Sequence, residues 1–233
     1  MIMPRAATRR SVAIALVIAT IVAPFMAWQG AQGGEKEALS ALAPQGIVVV
    51  GDSISARYDD EVGGEDQAWW SITGRRFNAN VTTYAQSGSG YLRPGRRCTG
   101  DRFIDRTPAY AGDAPSILIV EGGRNDWSRC DDGLFVPSTD AEVQHAVDTY
   151  LDVLQGWLPR STRIIVLGPP WGPFDPENGQ RITAIIEAEA KAHGLQFIST
   201  AGALTASRVL DGIHPNRAGS VAIARKVIAA LDS

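Results

Sequence analysis

Three short stretches of this chain carry side chains suited to acyl-transfer chemistry. Near the C-terminus, Asp211-Gly212-Ile213-His214-Pro215-Asn216 sets an aspartate three residues before a histidine, with a glycine between them. A carboxylate at that offset folds back to accept the imidazole Nδ1–H, which fixes the tautomer and leaves Nε2 facing a hydroxyl. Near the other end, Gly51-Asp52-Ser53-Ile54-Ser55 supplies such a hydroxyl directly after an apolar run. A serine beside a helix start lies where backbone N–H groups and the helix dipole favour negative charge at its oxygen. Between the two, Glu121-Gly122-Gly123-Arg124-Asn125-Asp126-Trp127 offers glycines for close backbone approach and an asparagine amide, the donor an oxyanion hole needs. Each stretch also fits a plainer role: Ser53 as a turn or N-cap residue, Asn125-Asp126 as a self-capping loop, Pro215-Asn216 as the start of the last helix. The other histidines, His145 and His193, sit in helical contexts and read as ordinary surface or half-buried residues. One Asp-x-x-His offers too few ligands for a catalytic metal, so none is expected.

The elements that must position these stretches alternate between strand and helix signals from residue 46 onward, the pattern of a parallel α/β sheet. Short apolar runs predict strands at 47–50, 81–84, 117–120, 164–167 and 196–198. Helical patterns cover 68–77, 141–158 behind a Ser138/Thr139 cap, 180–193 up to Gly194, and 221–231. An open parallel sheet builds its site beyond the carboxyl ends of the strands, and Ser53 and Asn125 both follow strands closely. The loops after the second and third strands are long and rich in Gly, Pro and Arg. Trp69 and Trp70 read as core, whereas Trp127 and Trp171 lie in loops that place them nearer the cleft. Arg57 and Arg124 stand close enough to the presumed site to favour anionic substrates, although solvated arginines need no such role.

A chain of 233 residues that is 45% apolar can bury one good core. Its net charge of −3, with no basic stripe, argues against a nucleic-acid partner. Arg5, Arg9 and Arg10 precede an apolar run over 11–27, and small residues follow, which reads as an export signal over 1–31. A polar linker over 32–45 and one domain over 46–233 complete the organisation. The apolar run is short for a membrane span and contains Pro24, so cleavage and release to the envelope or medium are expected, with an uncleaved anchor as the alternative. Cys98 and Cys130 fit one disulfide pinning two long loops in an oxidising compartment. Neither a Gly-x-Ser-x-Gly elbow nor a dinucleotide or phosphate loop is present at the required spacing.

Taken together, these segments resemble the SGNH hydrolases, also called GDSL esterases and lipases. Gly51-Asp52-Ser53 looks like the first block of that superfamily, Gly123-Arg124-Asn125-Asp126 like its Gly-x-Asn-Asp block, and Asp211-Gly212-Ile213-His214 like its Asp-x-x-His block. For the second block, Gly88 is the best match and Gly90 its rival in Gln86-Ser87-Gly88-Ser89-Gly90. Ile54 replaces the leucine of the name, and Thr83-Tyr84 stand where an asparagine is common. The resemblance implies a three-layer α/β/α flavodoxin-like fold with a central parallel sheet of about five strands. It also implies ester hydrolysis without a cofactor. Ser53 would be the nucleophile, His214 its base and Asp211 the orienting carboxylate, with Ser53, Gly88 and Asn125 forming the oxyanion hole. The expected substrate is a short-chain or carbohydrate O-acyl ester, a small molecule or a glycan, and membrane contact would need an uncleaved N-terminal segment. The same triad would serve an envelope O-acyltransferase, a lysophospholipase or a thioesterase. A silent binding module is the reading from a different class, and the intact set of site residues speaks against it.

Overall fold

In the computed structural model, residues 46–56, 64–110, 112, 114–173 and 176–233 are described. The export signal, the linker and Arg57 lie outside them. Five strands form one parallel sheet: β1 (Gly46–Gly51), β2 (Asn80–Ala85), β3 (Ile117–Glu121), β6 (Arg163–Leu167) and β7 (Gln196–Ile198). They lie in the order β2-β1-β3-β6-β7. Counting the sheet's own strands alone, this is the doubly wound 2-1-3-4-5 order, as the resemblance implies.

The central strands β1, β3 and β6 read as near-continuous apolar runs because both faces of the sheet are covered there. Val48, Val50, Leu118, Val120, Ile164 and Val166 point to one face. There they meet α4 (Asp140–Trp157), through Val143, Val147, Tyr150, Leu151 and Leu154, and α5 (Pro176–Ala192), through Ile182 and Ile186. Ile47, Val49, Ile117, Ile119, Ile165 and Leu167 point to the other face. That face is closed by Ile54 of α1 (Ser53–Ala56), Trp69 and Trp70 of α2 (Trp69–Arg76), and Ile223, Ala224 and Val227 of α6 (Arg217–Leu231). Each Val, Leu or Ile side chain among these, fully buried, contributes about 1.5–3 kcal/mol to folding. α4 begins with a full capping box, in which Thr139 accepts the Glu142 N–H and the Glu142 carboxylate accepts the Thr139 N–H.

The long loop after β2 is anchored by aromatics. The tilted rings of Tyr91 and Phe103 lie 4.9 Å apart, centre to centre, and abut Tyr150 of α4, whose hydroxyl is 2.6 Å from that of Tyr110 in the one-turn α3 (Thr107–Tyr110). A hairpin that the strand signals did not announce follows β3: β4 (Ser128–Asp131) pairs antiparallel with β5 (Leu134–Pro137). Its turn residues Asp132 and Gly133 both take positive φ, 45° and 78°, the geometry of the two-residue hairpin turn that matches strand twist. Cys98 of the β2 loop is bonded to Cys130 of β4, with the Cα atoms 5.5 Å apart. The crosslink spans a sequence separation of 32, for which loop-closure entropy gives about 3–4 kcal/mol of stabilisation. Cys98→Ser with Cys130→Ser should therefore unfold at lower urea, by that amount of free energy. An unchanged midpoint would show that the bond closes no loop that the other contacts leave open.

Candidate active site

Ser53 opens α1 immediately beyond β1, and the turn is built by its neighbours rather than by the serine. Asp52 Oδ1 accepts the Ile54 N–H at 2.8 Å and the Asp52 carbonyl accepts the Ala56 N–H, so Asp52 caps the helix. Ser55 donates to Glu121 Oε2 at 2.7 Å and accepts the indole N–H of Trp69, while Trp70 donates to the Ser55 carbonyl. These contacts fix α1 from below and leave Ser53 on the wall of an open cavity of about 570 Å³.

The loop after β3 reaches the same cavity. Asn125 donates from Nδ2 to the Ser89 carbonyl at 2.8 Å, with Asp52 Oδ2 at 3.3 Å. The adjacent Asp126 is fully buried, and its carboxylate accepts three backbone N–H groups in a row, from Tyr91, Leu92 and Arg93. That grip sets the course of the β2 loop and separates the two glycines. Gly90 gives its N–H to the Arg93 carbonyl, and a Cβ on it would run into the Asp126 carboxylate. Gly88 is the one that lines the cavity.

From the far end of the chain, a turn before α6 delivers the histidine. Val209 bridges to Pro215, and the Leu210 N–H donates to the His214 carbonyl, closing a tight loop around Gly212. Inside it Asp211 Oδ1 accepts the backbone N–H groups of Ile213 and His214, while Oδ2 lies 2.7 Å from His214 Nδ1. Asn216 caps α6 by accepting the Gly219 N–H, so the helix starts one residue beyond it. Asp211, His214, Ser53, Gly88 and Asn125 all line one cavity, together with Trp127 and Trp171. Trp69 and Trp70 are core, as their context suggests. His145 lines a separate small cavity beside α4, and His193 is held between α4 and α5 by Asp148 and Gln155.

A model of the GDSL-like lipase/acylhydrolase family matches residues 49–222, a span that includes every one of these cavity residues. The chain belongs to that family. It is accordingly an ester hydrolase. A GDSL lipase of Mycobacterium tuberculosis, Rv0518, is 27% identical over 191 residues, covering 78% of this chain and 79% of the relative. Among solved structures, the carbohydrate acetylesterase Est24 of Sinorhizobium meliloti superposes with a TM-score of 0.65 at 14% identity, over 81% of this chain and 98% of that one. A family two carbohydrate esterase of Clostridium thermocellum, in complex with cellohexaose, gives 0.66 at 18% identity, over 81% and 64%. At such identities these two likenesses concern the fold.

Beneath the cavity this GDSL-like hydrolase buries three carboxyl groups that the motif reading did not single out. Asp52 is pushed up to about 7, chiefly by burial, against the pull of the Ile54 N–H and Arg124. Burial also drives Glu121 well above the usual carboxylate range, reinforced by the nearby charge of Asp52. Asp126 is raised to about 6, burial outweighing its three backbone bonds. Asp211 moves the other way: its burial acts upward, but the bonds from His214 and Ile213 prevail and hold it below the ordinary range. Arg106 closes the back of the site, donating to the Gly51 and Tyr84 carbonyls and to Ser89 Oγ. It thereby ties the ends of β1 and β2 to the loop that carries Gly88. Arg106 belongs to no local motif, and Glu121 only precedes the Gly123-Arg124-Asn125-Asp126 block. The signal for Glu121 was an acid closing an otherwise apolar strand.

Proposed function

We propose that the protein is an exported serine esterase acting on short-chain or carbohydrate O-acyl esters. The observation that carries the reading is convergence: position 53 and positions 211–214 meet on one cavity, with the carboxylate–imidazole pair already at 2.7 Å. Asp211 holds the proton on Nδ1, so His214 presents an unprotonated Nε2 to the cavity. Ser53 Oγ attacks the ester carbonyl carbon as His214 takes its proton, and the oxyanion forms against the Ser53 and Gly88 N–H groups and the Asn125 amide. His214 then returns the proton to the departing alcohol, and the acyl-enzyme remains on Ser53. Water, activated by the same imidazole, releases the acid. Trp127 and Trp171 supply flat apolar walls for a sugar ring or a short acyl chain. Two structural neighbours being carbohydrate esterases favours sugar esters. Export rests on the N-terminal arginines and the apolar run behind them. Among the described residues no helix is long and apolar enough to cross a membrane.

The test is turnover by the domain from residue 46 of acetylated sugars, p-nitrophenyl esters of graded length and acyl thioesters, with free acid as the product measured. Acetyl and other short acyl esters should lead the series, and a fluorophosphonate should label Ser53. Absence of both turnover and labelling would defeat the proposal. Asn125→Ala should keep the circular dichroism of the parent yet lose on the order of a hundredfold in kcat, the usual cost of one oxyanion donor. A loss confined to KM would mean that Asn125 contacts substrate but not the developing oxyanion.

A further inference from the structure

The cavity is strongly asymmetric in charge. Arg93, Arg96 and Arg124 line it from two different loops, and among the described residues its one carboxylate is Asp211, already committed to His214. Among the described residues, no carboxylate lies within ion-pair distance of Arg93 or Arg96. The first is half-buried and held in place: its guanidinium lies 3.6 Å from the centre of the Phe135 ring and reaches Ser128 Oγ and the Gly95 carbonyl. Arg124 stacks over Trp171 at 4.9 Å, with a bond to the Pro170 carbonyl. Arg96 stands exposed, two residues before the disulfide that ties its loop to β4. Of the acids below the floor, Asp126 offsets part of the charge on Arg93.

Guanidinium groups that face an open cavity with no carboxylate of the described residues in ion-pair range, as at Arg93 and Arg96, supply both long-range attraction and forked hydrogen bonding for a ligand anion. Resting on the esterase reading above, we propose that the cleft selects esters that carry a second, anionic group, a carboxylate or phosphate, which binds to Arg93 and Arg96. Because these guanidinium groups belong to the loop that also bears Gly88, the anion is held by the element that shapes the oxyanion site. Substrate charge is thereby coupled to the position of the scissile carbonyl.

The experiment compares kcat/KM within matched pairs. On the acyl side the pair is mono-p-nitrophenyl glutarate against p-nitrophenyl butyrate; on the alcohol side it is para-acetoxybenzoate against para-acetoxybenzamide. An acetylated sugar phosphate set against the acetylated sugar tests phosphate in place of carboxylate. The parent should prefer the anionic member of at least one pair by about tenfold or more, chiefly through KM, and the preference should shrink as added salt shortens the Debye length from about 10 Å at 0.1 M to about 3 Å at 1 M. Arg96→Gln should remove most of that preference and Arg96→Lys restore part of it. Arg225→Gln, on the exposed face of α6, should leave it unchanged. Equal rates within every pair would overturn the inference while leaving the esterase intact, as would a preference that survives Arg93→Gln with Arg96→Gln. Failure of neutral and anionic esters alike, without fluorophosphonate labelling, would instead remove the esterase reading and this inference with it.

Discussion

Ser53→Ala should lower kcat for p-nitrophenyl butyrate by at least about a thousandfold while leaving the fold intact. The size of the effect follows from the chemistry: without Oγ no acyl-enzyme forms, and only direct attack by water, assisted by the oxyanion donors, remains. The expectation of an intact fold follows from the structure, because the buried network under α1 is made by Asp52 and Ser55 and does not use the Ser53 side chain. KM should change little, since the truncation removes one atom from an open cavity. His214→Ala should cost about as much, and the double variant should be scarcely worse than either single, because nucleophile and base act as a unit. Kinetics on the three variants, with circular dichroism as the folding control, settle the matter. A Ser53→Ala enzyme as fast as the parent would require another nucleophile.

The sheet was legible because its three central strands, β1, β3 and β6, are β-branched runs buried on two faces and have few alternatives. Strand limits moved by at most a residue or so, as at β2, which extends to Asn80–Ala85. α5 starts four residues earlier than its apolar periodicity suggests, at Pro176, because the first turn buries little and its signal was a proline suited to the first helical position. The β4–β5 hairpin leaves little trace in the sequence for a related reason. Most of its residues are exposed or half-buried, so no alternation marks it, and only Asp132-Gly133 advertised the turn. In the site, chemistry that sits within a few residues was readable: the Asp211–His214 pair is local, and so is the cap at Asn216. What could not be read was set across long separations. Which of Gly88 and Gly90 lines the cavity depends on a carboxylate at 126, and the tie between the ends of β1 and β2 depends on a guanidinium at 106. Neither residue announces such a partner in its own neighbourhood.

Asp126 shows how much one such distant partner carries. It lies next to the proposed oxyanion amide in sequence, yet its side chain faces inward and holds the Tyr91, Leu92 and Arg93 N–H groups. Asp126→Ala leaves these donors without an acceptor in the interior, and roughly 3 kcal/mol or more of stability should be lost. Released from that grip, the β2 loop should also position Gly88 and Arg93 less well, so activity should fall even in the folded fraction. The deficit should depend on pH, with a definite sign. An aspartate in the unfolded chain titrates near about 3.9. Burial raises Asp126 to about 6 in the folded protein, so the folded state keeps this proton when the unfolded chain has released it. The contribution of Asp126 to stability is therefore complete below about pH 4 and is lost as pH rises through 6. The alanine variant has no such titration at this site, and the remaining carboxylates titrate in both proteins. Urea unfolding of parent and variant at pH 5 and pH 8 should thus show the wider gap at pH 5. A gap that widens toward pH 8 would mean that the three N–H groups outweigh burial and that Asp126 is held as the anion throughout.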